Sequence, residues 1–493
     1  MSDRNLTLLT DLYELTMMQG YFKAKDANET VIFDAFYRTN PQSGGYAVCA
    51  GLQQVIEYIK ELHFSAEDID YLRSTGLFEE DFLEYLRTFR FSGDIYAIPE
   101  GTVIFPREPI VKVIAPIMEA QLIETAMLNI INHQSLIATK ASRVVHAAQG
   151  DGVMEFGLRR AQGPDAGTYG ARAAMIGGCV ATSNVLCGKM FDVPVRGTHA
   201  HSWVMSFPDE LTAFRTYAKL YPNACTLLVD TYDTLNSGIP HAIQVFQEMK
   251  DAGIPLTSYG IRLDSGDLAY LSKKARKMLD DAGSTDAVIS ASNDLDETLI
   301  TSLKLQGAEI HSWGVGTNLI TSKDCPSFGG VYKLAAIKDK KTGEFIPKIK
   351  LSENVEKITN PGNKTIQRIY DKKNGKLIAD LICLADEKFD TSKSLLLFAP
   401  NATWKKTHLA PNSYTMRELL VPIFLNGECV YESPSVMEIR EYCIQEKATL
   451  WEESLRLEFP HKVHVDLSHE LWHMKQQLLD SYRSDTVDES TCS

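Results

Sequence analysis

The chain has 493 residues, 44% hydrophobic and 23% charged, which is enough for about two to four domains with sizeable cores and excludes disordered and fibrous classes. Its 64 acidic against 50 basic residues give a formal charge of −14, which argues against nucleic acid as an obligate partner but leaves room for an anionic substrate in one local basic pocket. The nine cysteines (Cys49, Cys179, Cys187, Cys225, Cys325, Cys383, Cys429, Cys443, Cys492) show neither C-x-x-C pairs nor a Cys/His cluster, so reduced thiols in a cytoplasmic protein are expected.

Residues 1–6 lack the apolar core of a signal peptide. The longest hydrophobic region, 111–138, is broken by Pro116, Glu119, Glu124 and His133, so no membrane partner is expected. Residues 1–140 read as an N-terminal α+β domain. It has a helical start at 11–17, a strand at 31–37, a turn at Gly44 and Gly45, a helix over 52–62 and a strand-rich stretch over 95–114. After Pro116 a helix carries Leu122, Ala126, Ile130 and Ile131 on one face.

Residues 141–335 alternate short apolar strands with helical pattern, at 153–156, 179–182, 226–230, 259–264, 288–291 and 310–314; the run 193–196 makes seven strands. Spacings of roughly 20 to 35 residues are those of βα units. The fold class expected is therefore α/β, an irregular TIM-like barrel with an N-terminal α+β domain and a C-terminal mixed domain. That C-terminal mixed α/β region, 336–480, holds a hairpin at Asn374 and Gly375 joining 366–370 to 377–382, then a charged helical stretch over 441–479. A disordered tail over 481–493 closes the chain, and there are no internal repeats.

The chemistry gathers at strand ends, where barrel enzymes place their reacting groups. Gly197-Thr198-His199-Ala200-His201-Ser202 follows a short strand-like run, and an imidazole there is a candidate for chemical work; two turn histidines are the plain alternative. Arg262-Leu263-Asp264-Ser265-Gly266-Asp267 delivers a base and two acids to a helix start. Arg262 can hold a carboxylate or phosphate, and Asp264 can grip ribose hydroxyls or a Mg²⁺ shell; N-capping with a surface ion pair reads equally from those residues. Gly314-Val315-Gly316-Thr317 permits close backbone approach to a phosphate, with Thr317 supplying a hydroxyl. Asp230, ending the run 227–230, could accept a hydrogen bond from His201 and fix its tautomer, or cap the turn that also holds Asp233. In Glu155-Phe156-Gly157-Leu158-Arg159-Arg160, Phe156 can stack on a flat heterocycle and Arg159 and Arg160 can meet anions, or the three are a core ring and two solvated charges.

Together with Thr10-Asp11-Leu12-Tyr13-Glu14-Leu15-Thr16-Met17, these motifs resemble the nicotinate phosphoribosyltransferases, a type II phosphoribosyltransferase family, over most of the chain. The resemblance implies ATP-coupled transfer of phosphoribosyl from phosphoribosyl pyrophosphate to the ring nitrogen of nicotinate, in NAD salvage. It implies that His201 is transiently phosphorylated while His199 occupies a variable position, and that Asp230 orients His201. It further implies that Tyr13, Thr198 and Arg262 contact nicotinate, Tyr13 reaching across from the second subunit of a homodimer, that Phe156 stacks on the pyridine, and that Gly316 and Thr317 receive the sugar phosphate. Mg²⁺ accompanies the co-substrates ATP and phosphoribosyl pyrophosphate. Nicotinamide phosphoribosyltransferases share the histidine motif but carry an acid near 181–184; here that stretch is uncharged, and Ser183 tolerates a carboxylate substrate. A non-catalytic phosphohistidine relay is the rival from another class. Whether Lys333 and Lys350 belong to the site stays open.

Overall fold

The structure is a computed structural model that describes residues 5–24, 28–353, 357–400 and 404–484. The expectations for the extreme N-terminus (1–4), Cys492 and most of the tail (485–493) lie outside the described residues, whereas 481–484 end the helix His469–Ser484. Two compact units are present: 137–326 with 435–441, and 1–136 with 327–434 and 442–493.

The first of these holds a parallel sheet of six strands in the spatial order Ala181–Thr182, Gly152–Glu155, Ser312–Val315, Val288–Ala291, Tyr259–Leu263, Cys225–Leu228. Each run is apolar because both faces of a parallel sheet are covered, and Ile261, Ile289, Trp313 and Leu227 are fully buried. The intervening helices start on side-chain caps that the sequence supplies: Asn184, Asp209, Asp267 and Asp296 each accept from a backbone N–H three residues on. Asp267 is thus a helix cap, and Asp233 caps the π-turn Thr234–Gly238 in the same way.

The seventh expected strand, 193–196, is reduced to one parallel bridge, Thr182 with Val195. Pro194 has no N–H to donate, so only its carbonyl (from Thr182, 3.0 Å) and the Arg196 N–H (to Thr182, 3.0 Å) pair. No ladder among the described residues joins this run to Cys225–Leu228. The curled sheet is an irregular barrel left open on that side.

The second unit contains a seven-stranded antiparallel sheet in which Thr30–Tyr37 lies between Val111–Pro116 and Gly330–Lys338. A six-stranded sheet contains the expected hairpin, Lys364–Asp371 against Leu377–Leu384. Here one expectation is corrected: the stretch 441–479 is not all helix, since His464–Leu467 is a strand running parallel to Ala379–Ile382. Its four residues carry too little pattern of their own, and the partner that makes them a strand is far away in sequence. Arg368, fully buried, binds Asp380, Glu446 and the Val103 carbonyl and fastens this sheet within the unit.

Candidate active site

The carboxyl ends of the barrel strands converge on Arg262. Its Nε donates to Ser292 Oγ (2.8 Å), one terminal nitrogen to Thr198 Oγ1 (2.8 Å) and the other to Asp264 Oδ1 (3.0 Å). Ser292 donates to that same Asp264 oxygen. One guanidinium therefore ties together the loops after three strands. Burial alone would raise the Asp264 carboxyl, but the Ser292 hydroxyl and the Arg262 charge hold it below the ordinary carboxylate range.

Asp230 does not orient His201 as expected. Its Oδ2 accepts from the Asp264 backbone N–H (2.8 Å) and the Ser265 hydroxyl (2.7 Å), while its buried Oδ1 has no hydrogen-bond partner. The next residue on the loop takes the orienting place, since His201 Nδ1 meets Thr231 Oγ1 at 3.1 Å. With Nδ1–H donating, the Nε2 lone pair faces Asp264 Oδ2 across 3.8 Å, on a side chain 40% exposed.

His199 has a different task. It is 7% exposed, against the edge of the Tyr217 ring, and its Nε2 accepts from the Leu228 backbone N–H at 3.3 Å. Burial, with the Arg262 charge nearby, pushes its imidazole down to about 4, so it is neutral and Nε2 is free to accept. The ring thus satisfies a peptide N–H on the open side of the barrel, where no seventh strand supplies a carbonyl.

A cavity of about 540 Å³ occupies the barrel interior. Phe156, Thr198, Arg262, Ser292 and Gly314 line its carboxyl end, and it extends to Tyr259 and Val288 at the opposite ends of their strands. The Phe156 N–H donates to the Val315 carbonyl at 2.8 Å, and its ring lies over Gly314, where a Cβ would stand 2.7 Å from Phe156 Cδ2. Behind it Glu155, fully buried, accepts from Thr182 Oγ1 (2.6 Å) and from the Gly157 N–H, which fixes the turn that aims the ring. Burial raises the Glu155 carboxyl despite those bonds.

Ser183 follows the strand Ala181–Thr182 and donates its N–H to the Glu155 carbonyl at 3.0 Å; Gly316 and Thr317 begin the single turn Thr317–Ile320 after Ser312–Val315. Arg159 and Arg160 lie exposed on the turn Leu158–Arg160. Tyr13, on the helix Leu12–Ala24 of the other unit, is 47% exposed, and Lys333 and Lys350 belong to that same unit. Sequence reasoning missed Thr231 and Ser292; each is a lone hydroxyl next to a strand end, and only the fold shows which base it meets.

Three family models match the chain: the nicotinate phosphoribosyltransferase N-terminal domain at residues 8–132, the nicotinate phosphoribosyltransferase family at 152–374 and its C-terminal domain at 363–475. A nicotinate phosphoribosyltransferase of Bacillus subtilis is 46% identical over 98% of this chain and 97% of its own, and that of Dictyostelium discoideum 36% identical over 94% and 88%. The crystal structure of human nicotinic acid phosphoribosyltransferase superposes with a TM-score of 0.81 at 29% identity, covering 96% of this chain and 100% of that one.

Proposed function

The chain is an enzyme of the nicotinate phosphoribosyltransferase family, and from that membership we propose that it makes nicotinate mononucleotide and pyrophosphate from nicotinate and phosphoribosyl pyrophosphate, coupling the transfer to ATP through a phosphate carried on His201. The observation that carries this reading is the convergence on Arg262: a cation that binds Thr198, Ser292 and Asp264 at the mouth of a cavity that Phe156 also lines.

Nicotinate enters with its carboxylate toward Arg262 and Thr198 and its ring on Phe156, which is planar and edged by a side-chain-free Gly314. The pyridine nitrogen attacks the anomeric carbon as pyrophosphate departs, so the site has to neutralise a leaving group rather than supply a strong base. Gly316 and Thr317 offer N–H and hydroxyl groups to the sugar phosphate, and Ser183 leaves the nicotinate side free of negative charge. Mg²⁺ arrives with the co-substrates. The unpartnered Oδ1 of Asp230 and the Oδ2 of Asp264 suit its hydration shell.

His201 Nε2 attacks the ATP γ-phosphorus as the bond to the β,γ-bridging oxygen breaks and ADP leaves, Thr231 keeping the proton on Nδ1. The partner subunit's Tyr13 completes the nicotinate site in a homodimer. Exposed Leu12 (55%), Tyr13 and Met17 (36%) on one helix favour such a covered face. The cysteines show no C-x-x-C spacing, which fits a cytoplasmic enzyme, and no described helix is long and apolar enough to cross a membrane.

Product formation with Mg²⁺ and phosphoribosyl pyrophosphate, offering nicotinate or nicotinamide with and without ATP, tests the reading. Nicotinate mononucleotide formation stimulated by ATP, the stimulation absent in His201→Ala, supports it. Turnover of nicotinamide alone would reassign the substrate, and turnover of neither would leave a phosphohistidine relay.

A further inference from the structure

Among the described residues, the charged side chains that line the barrel cavity are Arg262 and Arg196. Their settings differ. Arg262 is 19% exposed and already committed: three of its five N–H groups go to Ser292, Thr198 and Asp264, and the Asp264 carboxylate at 3.0 Å balances its charge. That carboxylate is held ionised, so guanidinium and acid together bring no net charge to the cavity.

Arg196 has no such counter-charge. Its side chain is exposed, its guanidinium donates to the carbonyl of its own neighbour Val195 (3.1 Å), and no carboxylate pairs with it among the described residues. The backbone fixes its place instead. The run 193–196 meets the strand Ala181–Thr182 at one bridge, where the Arg196 N–H donates to the Thr182 carbonyl at 3.0 Å. Extended chain points every second side chain the same way, and Pro194, Arg196 and Thr198 all line the cavity. Arg196 thus stands two residues from the hydroxyl that Arg262 also reaches.

A carboxylate that leaves water for a partly enclosed site loses hydration, and a neutral ion pair offsets that loss only in part. An uncompensated guanidinium attracts the anion through its net charge and offers it two parallel N–H groups. A carboxamide of the same shape gains little from that charge, so the cation separates the two ligands.

We propose that Arg196 is the specificity-determining cation of this site: it binds the carboxylate of nicotinate beside Thr198 and Arg262, and its unbalanced charge favours nicotinate over nicotinamide. This role rests on the nicotinate reading above and names the residue that makes the choice. The uncharged stretch at Ser183 removes a repulsion, and Arg196 supplies the attraction. Arg262, tied to three loops, holds the frame against which the carboxylate is placed.

Steady-state kinetics of the full chain with Mg²⁺, ATP and phosphoribosyl pyrophosphate, for the unaltered protein, Arg196→Met and Arg196→Lys, test this role, with nicotinamide added as an inhibitor against nicotinate. Arg196→Met should raise KM for nicotinate by about tenfold to a hundredfold, the scale of one charged contact, while kcat and the inhibition by nicotinamide stay within about threefold. Arg196→Lys keeps the charge without the fork and should recover part of the loss. All three proteins should melt together, because the bridge to Thr182 is made by the backbone; that melt also shows the variants to be folded. An unchanged KM for nicotinate in Arg196→Met, or an equal weakening of nicotinamide, would overturn the proposal. So would a rise confined to KM for phosphoribosyl pyrophosphate, which would put Arg196 on the phosphate groups instead. Absence of nicotinate turnover in the unaltered protein would overturn the functional reading, and the role of Arg196 with it.

Discussion

The neutral ring of His199 accepts a hydrogen bond from the backbone N–H of Leu228, at 3.3 Å, on the side of the barrel where the strand ladder is missing. The two histidines of the motif thus differ in setting: His199 closes a gap in the fold, and His201, 40% exposed, meets Thr231.

His199 has an imidazole depressed from 6.5 to about 4, so the unfolded chain binds its proton more readily than the folded one. Stability then rises with pH between those two values, and acidification through the window costs about 3 kcal/mol from this group. Thermal unfolding followed from pH 7 downward should show that slope in the unaltered protein and a shallower one in His199→Asn. At neutral pH His199→Asn should lose about 1–2 kcal/mol through the disturbed bond and packing. Parallel pH curves for the two proteins would be the contrary result.

Ser292 is expected to act on the reaction through Arg262 and Asp264. Ser292→Ala removes the acceptor for Arg262 Nε and a donor to Asp264, so the Asp264 carboxyl moves up and the acid limb of the pH–rate profile should move to higher pH. We expect kcat/KM to fall by about tenfold to a hundredfold, on the scale of losing one bond to a charged group. An unshifted acid limb would mean that Asp264 is not the group titrating.

Gly314→Ala places a methyl group 2.7 Å from the Phe156 ring. The ring must turn, and KM for nicotinate should rise while KM for phosphoribosyl pyrophosphate changes little. Phe156→Leu added to Gly314→Ala should cost less than the sum of the two single changes, a non-additivity measurable in a double-mutant cycle.

Glu210, 3% exposed, joins His241 Nδ1 (2.9 Å) and Ser237 Oγ (2.5 Å), the latter on the π-turn Thr234–Gly238 that follows the loop carrying Asp230 and Thr231. His241→Phe strands a buried carboxylate and should cost about 1–3 kcal/mol of stability, whereas Glu210→Gln with His241 retained should cost less. If the loop positions His201 through Thr231, both variants should lose ATP stimulation more than basal transfer, as judged by the ratio of rates with and without ATP.

Much of the barrel was legible because parallel strands buried on both faces read as short apolar runs. The strand ends then pointed to Arg262, Asp264, Thr198 and His201. What stayed hidden depends on contacts between distant segments: Thr231 rather than Asp230 behind His201, Ser292 beneath Arg262, and the strand His464–Leu467, whose partner Ala379–Ile382 makes it one. The histidine pair shows the same limit. Its motif marks a functional region, but only the open barrel edge explains why His199 faces inward.

The antiparallel sheet has a consequence for how the chain is made. Thr30–Tyr37, an apolar run, pairs on one side with nearby Val111–Pro116 and on the other with Gly330–Lys338. During synthesis it therefore leaves the ribosome long before its second neighbour, and presents an unpaired, sticky edge while nearly the whole barrel segment is translated. In the barrel, Gly152–Glu155 faces a shorter wait of the same kind, since it pairs with Ala181–Thr182 and then with Ser312–Val315. A chain cut before residue 330 is expected to keep that edge unpaired and to aggregate more readily than the full chain.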